Sequence, residues 1–168
     1  MGESVLEDAF RHHVWATLQI IDASQALPQQ QVQTTAPGTY GSILDTLRHL
    51  VAADARYLFI LSGGEVAPID ASEMGLPQLR AQMTLHGGSW AAVLVRDLDP
   101  AAVMGRVRAD GSETQAPVSI RLAQALHHGT DHRSQICTAL TGLGVEPPAI
   151  DVWDFGASDN RVVEIPPR

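Results

Sequence analysis

The segment "SILDTLRHLVAADARYLFIL", residues 42–61, constrains the fold more than any other part of the chain. Its apolar residues (Ile43, Leu44, Leu47, Leu50, Val51, Leu58, Ile60 and Leu61) cover most of the circumference of a helix. A helix with that pattern is buried among other elements and cannot rest on a surface. Ser42 and Asp45 form a cap at its start, and Gly63-Gly64 ends it.

Such a helix needs partners, and three further stretches have helical period. The first covers about 4–26, opened by a Ser4/Glu7 capping box, with Leu6, Ala9, Phe10, His13, Thr17, Ile20 and Leu27 on one face. The third covers about 76–98, with Pro77 tolerated in its first turn and Leu79, Met83, His86, Trp90 and Val93 as its inward stripe. The fourth covers about 117–141 and stops at Gly142 and Gly144. Val103, Val107 and a turn at Asp110-Gly111 predict a short irregular hairpin before it. The tail, 145–168, reads as an extended wrap anchored by Trp153 and Phe155. The expectation is one all-α domain spanning 1–168, a four-helix bundle. The linkers after the first and third helices are long enough for crossovers as well as up-and-down order.

The chain carries a net charge of −8 and no run of basic residues, which argues against nucleic acid or an anionic membrane as partner. Its arginines are scattered singly, as suits pairing with carboxylates or with an anionic small molecule. A single cysteine, Cys137, excludes an internal disulfide framework and a thiolate zinc knuckle. "MGESVLED" lacks the basic and apolar regions of a signal peptide, and no apolar run approaches the ~20 residues of a membrane span. A cytoplasmic location is expected.

"ALHHGTDHRSQI", residues 125–136, holds three of the seven histidines. At about 100° per residue, His128 and His132 share a face with Val118, Leu122, Ala125, Ile136, Ala139, Leu140 and Leu143, with Arg121 near the same line. His127 is rotated a quarter turn away, and Cys137 points nearly opposite. Imidazoles at i and i+4 can chelate one cation through a ring nitrogen each. They can equally be hydrogen-bonded core residues. Two neutral rings side by side in a core need partners that a core seldom supplies, and this favours the metal. The pattern is not the H-E-x-x-H of metalloproteases, because Gly129 stands at the general-base position. Gly129 lacks a Cβ and leaves room for a facing helix or for a ligand above the metal. A third ligand must come from another helix, and His49, His13 and His86 are the candidates. His49 has small neighbours, Ala52 and Ala53. His86, beside two glycines, reads as structural, capping or ending a helical segment. His13 lies on an apolar stripe as a support for the site, a substrate contact or a core residue.

"HHGTDHRSQI" and "GSILDTLRHLVAAD" together resemble the DinB/YfiT-like family, the first its H-G-T-x-H-R-x-Q signature and the second its L-x-H-L-x-x-x-[DE] segment. "HHVWATLQIID" is similar to the family's opening helix, so the resemblance runs from about Phe10 to Leu143. It implies a four-helix bundle with non-sequential crossover topology, commonly a homodimer. It also implies one divalent ion, zinc or nickel, held by His49, His128 and His132. Family members include S-transferases using mycothiol, bacillithiol or glutathione, and maleylpyruvate isomerases.

Three protein nitrogens with open coordination positions are the layout of a catalytic site. The leading expectation is therefore an enzyme that transfers a low-molecular-weight thiol to an electrophilic small molecule. The alternatives are a metal-dependent hydrolase and a non-catalytic metal-binding or stress-response bundle. Gln135 and Arg133 either contact substrate and orient groups at the site or serve the helix packing. Asp54 either holds Arg56 or another arginine, or supports a histidine. Asp151, Trp153 and Asp154 cover the site or a dimer seam, or pack the terminus.

Overall fold

The computed structural model describes residues 4–107 and 110–165. Its elements are α1 (Val5–Gln25), α2 (Gln29–Val32), α3 (Ile43–Leu61), α4 (Leu76–Leu94), β1 (Val103–Val107), β2 (Glu113–Pro117), α5 (Val118–Gly142) and α6 (Val152–Ser158). The protein is mostly helical, with one small two-stranded antiparallel sheet. No helix among the described residues is long and apolar enough to cross a membrane.

The capping chemistry is as expected. Ser4 and Glu7 satisfy each other's backbone amides, and Ser42 Oγ accepts from the Asp45 amide. α1 packs on α4 and α5, and α3 packs on the same two helices. The buried residues of α4 are Leu79, Met83, His86, Trp90 and Val93, the stripe expected from periodicity. α3 is buried nearly all round. Leu6, placed on the inward face of α1 by its period, is exposed in its first turn.

The interior is two apolar clusters. One contains Ile20, Leu47, Leu50, Leu79, Met83, Ile136 and Leu140. The other contains Phe10, Leu58, Leu61, Trp90, Val93, Val118 and Leu122. Each long helix contributes to both, and on each helix polar residues stand between the two sets: His13 and Thr17 on α1, Asp54 on α3, His86 on α4, His132 and Arg133 on α5. The order of the clusters along the chain shows that α1 and α5 run one way and α3 and α4 the other.

Three segments differ from expectation. α4 ends at Leu94, four residues early. Beyond it Arg96 donates to the Ser62 carbonyl at the end of α3 and pairs with Glu65. The linker contains the short α2, which buries Val32. The tail is not wholly extended. Asp151 and Asp154 form a reciprocal cap that starts α6. Phe155 is buried there, against Trp15 at a ring distance of 5.6 Å, whereas Trp153 is 73 % exposed. The hairpin is present, with Val107 opposite Glu113 and Gly111 at φ +81° in its turn. Pro117 leads directly from β2 into α5.

Candidate metal centre

His49 on α3 and His128 and His132 on α5 meet where these two helices pack. His49 Nε2 lies 3.0 Å from His128 Nε2, which lies 3.1 Å from His132 Nε2. One nitrogen from each of the three rings falls within 4.8 Å of the others, so the cluster could hold a metal ion. Two nitrogens bound at ~2.0–2.1 Å to a tetrahedral ion would stand about 3.3 Å apart, close to the two spacings from His128.

The proton positions support that fit. Gln135 Oε1 accepts the backbone N–H of Tyr40 at 2.9 Å, which identifies that atom as the oxygen. His132 Nδ1, 3.1 Å from the same oxygen, must then be the donor, so in the neutral ring Nε2 presents a lone pair to the cluster. Burial pushes His128 down to about 4, and the neighbouring His132 and His49 rings add to the effect. Burial lowers His49 too, reinforced by His132. The neutral imidazole is the form that binds a cation. Tyr40 stacks on His49, with centroids 4.0 Å apart and planes 25° apart.

The other candidate residues form a separate array in the polar layer. Asp54 is buried, accepts Trp90 Nε1–H at 3.0 and 3.1 Å, and accepts His13 Nε2–H at 3.1 Å. His86 Nδ1 lies 2.9 Å from its other oxygen, but off the line of a good hydrogen bond. Burial raises the Asp54 carboxyl, and the hydrogen bond from His13, with the His86 ring close by, outweighs it, holding it well below the usual carboxylate range. Arg133 donates through Nη1 to His13 Nδ1 and Thr17 Oγ1, both at 3.1 Å, and through Nη2 to Thr130 Oγ1. Since Arg133 has only donors, His13 accepts at Nδ1 and gives its Nε2 proton to Asp54. Burial brings Arg133 down to about 10, still a cation at neutral pH, linked to Asp54 through the His13 ring.

Of the two options left for Asp54, the structure has it supporting histidines, but His13 and His86 rather than the three-histidine cluster. It does not hold Arg56. Arg133 is buried and donates to His13 and Thr17 of α1 and to Thr130 of its own helix. His86 sits inside α4, which continues through Gly87 and Gly88 to Leu94, so it neither caps nor ends a helix. A Cβ at Gly129 would overlap the His13 ring, 2.5 Å from Nδ1, so the missing side chain accommodates the facing helix. His127 is exposed. Cys137 is half-buried among apolar neighbours, and burial pushes its thiol up, the opposite of an activated nucleophile.

Sequence reasoning missed Tyr40, which lies in a polar linker with no periodicity to mark it. It also missed what surrounds His128 on its other side, a cavity of about 170 Å³ lined by His49, Ala53, Arg56, Tyr57, Ile60, Arg106, Arg121 and His128. The signal for two of these was present: Arg56 follows His49, and Arg121 precedes His128, by seven residues, two turns along the same helical face.

A search of curated proteins found no match to this chain. The model of the DinB family matches residues 1–162, and with nearly its whole length covered the chain belongs to the DinB family.

Proposed function

We propose that the protein is a divalent-metal-dependent enzyme that transfers or adds a low-molecular-weight thiol to an electrophilic small molecule. The observation that carries this reading is the convergence of His49, His128 and His132 within 4.8 Å. These three would be the ligands, leaving coordination positions open, as in catalytic sites. A bound zinc or nickel ion would supply Lewis acidity, lowering the pKa of a coordinated thiol so that it is a nucleophile at neutral pH. In such a reaction the thiol proton leaves to solvent and a carbon–sulfur bond forms. The electrophile then loses its leaving group or, in an addition, takes up a proton.

The chain's own residues prepare the site. Gln135 sets the tautomer of His132, Tyr40 holds the His49 ring by stacking, and burial keeps His49 and His128 unprotonated. The only cysteine is half-buried among apolar neighbours and has a raised pKa, so the reactive sulfur is best supplied from outside. We read the architecture as a four-helix bundle with crossover topology. Each long helix packs on two others, and α3 and α4 run parallel although consecutive, so 62–75 returns along the helices. A homodimer and a small-molecule substrate belong to the same reading.

The test is metal analysis of the purified protein followed by thiol titration. One metal ion per chain is expected, lost in His128→Ala, with affinity about 10–100-fold weaker in Gln135→Ala. Mycothiol, bacillithiol or glutathione should raise the melting temperature of the metal-loaded form only, and turnover against a panel of electrophiles identifies the reaction. Protein that takes up neither zinc nor nickel would sink the proposal and leave a structural bundle.

A further inference from the structure

We propose that the cavity beside His49 and His128 binds the oxyanion end of a small organic anion, a carboxylate or a phosphate ester, through Arg56, Arg106 and Arg121. This rests on the reading above, because it makes the electrophile an anion whose charged end is held next to the histidine cluster.

The cavity's charge is unusual for the molecule. The chain has a net charge of −8, and Arg11, Arg48, Arg80, Arg96 and Arg161 each face a carboxylate. Among the described residues the three arginines at the cavity do not, and no Asp or Glu lines it. Among the described residues Arg56 and Arg106 have no hydrogen-bond or ion-pair partner. Arg121, 7 % exposed, gives one terminal nitrogen to the Met104 and Thr114 carbonyls of the hairpin, while its Nε is buried without a partner. Burial, and then the charge of Arg106, disfavour the protonated forms of both Arg56 and Arg121. Gathering three cations without a counter-ion costs free energy, and an anion in their midst would recover it. Guanidinium groups match the planar carboxylate and the phosphate oxygens through paired N–H donors.

Size and position limit the ligand. At ~30 Å³ per water-sized group, a 170 Å³ cavity takes about five or six, an oxyanion with a few attached atoms. Its wall includes the His49 and His128 rings. Arg56 and Arg121 stand two turns from those histidines on α3 and α5, about 10 Å along each axis. An anion held by the guanidinium groups therefore points the rest of a short molecule at the imidazoles. The hairpin contributes Arg106 and is tied down by Arg121, which gives this small sheet a purpose at the site.

The experiment is calorimetric titration of the full-length, chelator-treated protein with succinate and with inorganic phosphate, repeated on Arg56→Ala, Arg106→Ala and a control, Arg48→Ala. Saturable binding of at least one anion is expected, weakened at least tenfold by each cavity substitution and unchanged by the control. Succinate alone would select carboxylates, phosphate alone phosphate esters, and either result supports the site. No binding of either probe, or binding indifferent to both cavity substitutions, would overturn it. Thermal melts confirm that the variants fold, and Arg106 and Arg56, being outside the core, leave it intact. Since no metal is present, the result stands apart from the metal reading: His128→Ala should lose metal and keep the anion, and Arg56→Ala should do the reverse.

Discussion

Gly129 shows how one atom decides the packing of α1 against α5. Alanine favours a helix over glycine by about 0.8–1 kcal/mol, so propensity alone predicts that Gly129→Ala stabilises α5. The added Cβ would instead overlap the His13 ring and crowd Arg133 Nη1 at 2.9 Å. Overpacking of this kind costs about 1–3 kcal/mol, so the substitution should destabilise the protein in urea denaturation. Gly142→Ala, where a Cβ meets nothing, should not. The histidines make a second prediction at this scale. His128 is held down to about 4 in the fold, whereas an unfolded histidine titrates near 6.5. Between those values the unfolded chain binds the extra proton, so the stability of the metal-free protein falls as pH drops from about 6.5 towards 4, then levels off for this group. His49 contributes in the same direction. Urea midpoints measured across this range in chelator should show the loss, reduced in His128→Gln; a wild-type midpoint that stays flat contradicts it.

At the scale of elements, α6 is the informative case. Seven residues are too few to hold a helix in water by themselves. It persists because Phe155 packs on Trp15 and lies under Arg11 and Arg161, while His12 Nε2 donates to the Ile150 carbonyl just ahead of it. Phe155→Ala should cost about 3 kcal/mol and release the tail, read as new protease cleavage near residue 150 with α5 still intact. The four long helices were legible because their signals are local: period, caps and terminal glycines. α6 was not, since a seven-residue segment is too short to show a helical period and its stability comes from α1. The end of α4, where Arg96 reaches the Ser62 carbonyl of α3, involves a contact between elements that the local pattern does not record.

Over the whole molecule, the Asp54 array is the point where all four long helices meet in one polar layer between two apolar clusters. Asp54 comes from α3, His13 from α1, His86 and Trp90 from α4, and Arg133 joins from α5. Removing the carboxylate leaves buried donors without an acceptor and the Arg133 cation without its compensation. Asp54→Ala should therefore cost about 3–5 kcal/mol, a large share of the ~5–15 kcal/mol typical of a domain. Chemical denaturation gives the measurement, and a loss under 1 kcal/mol would show that the array carries little of the stability. By keeping α1, α4 and α5 in register with α3, this layer also keeps His49 opposite His128 and His132.

By itself the sequence determined what depends on neighbours along the chain. The helices, their buried stripes, the one-turn pairing of His128 and His132 and the seven-residue steps to Arg56 and Arg121 are all matters of helical geometry. Which faces meet was decided only by tertiary packing. That brought His49, rather than His13 or His86, beside the pair on α5, and gave Asp54 to His13 and His86 instead of Arg56. It also turned Arg133 into the core and closed three arginines from α3, β1 and α5 around one cavity. Contacts between distant segments follow from how whole surfaces fit, and spacing within one segment carries no record of that.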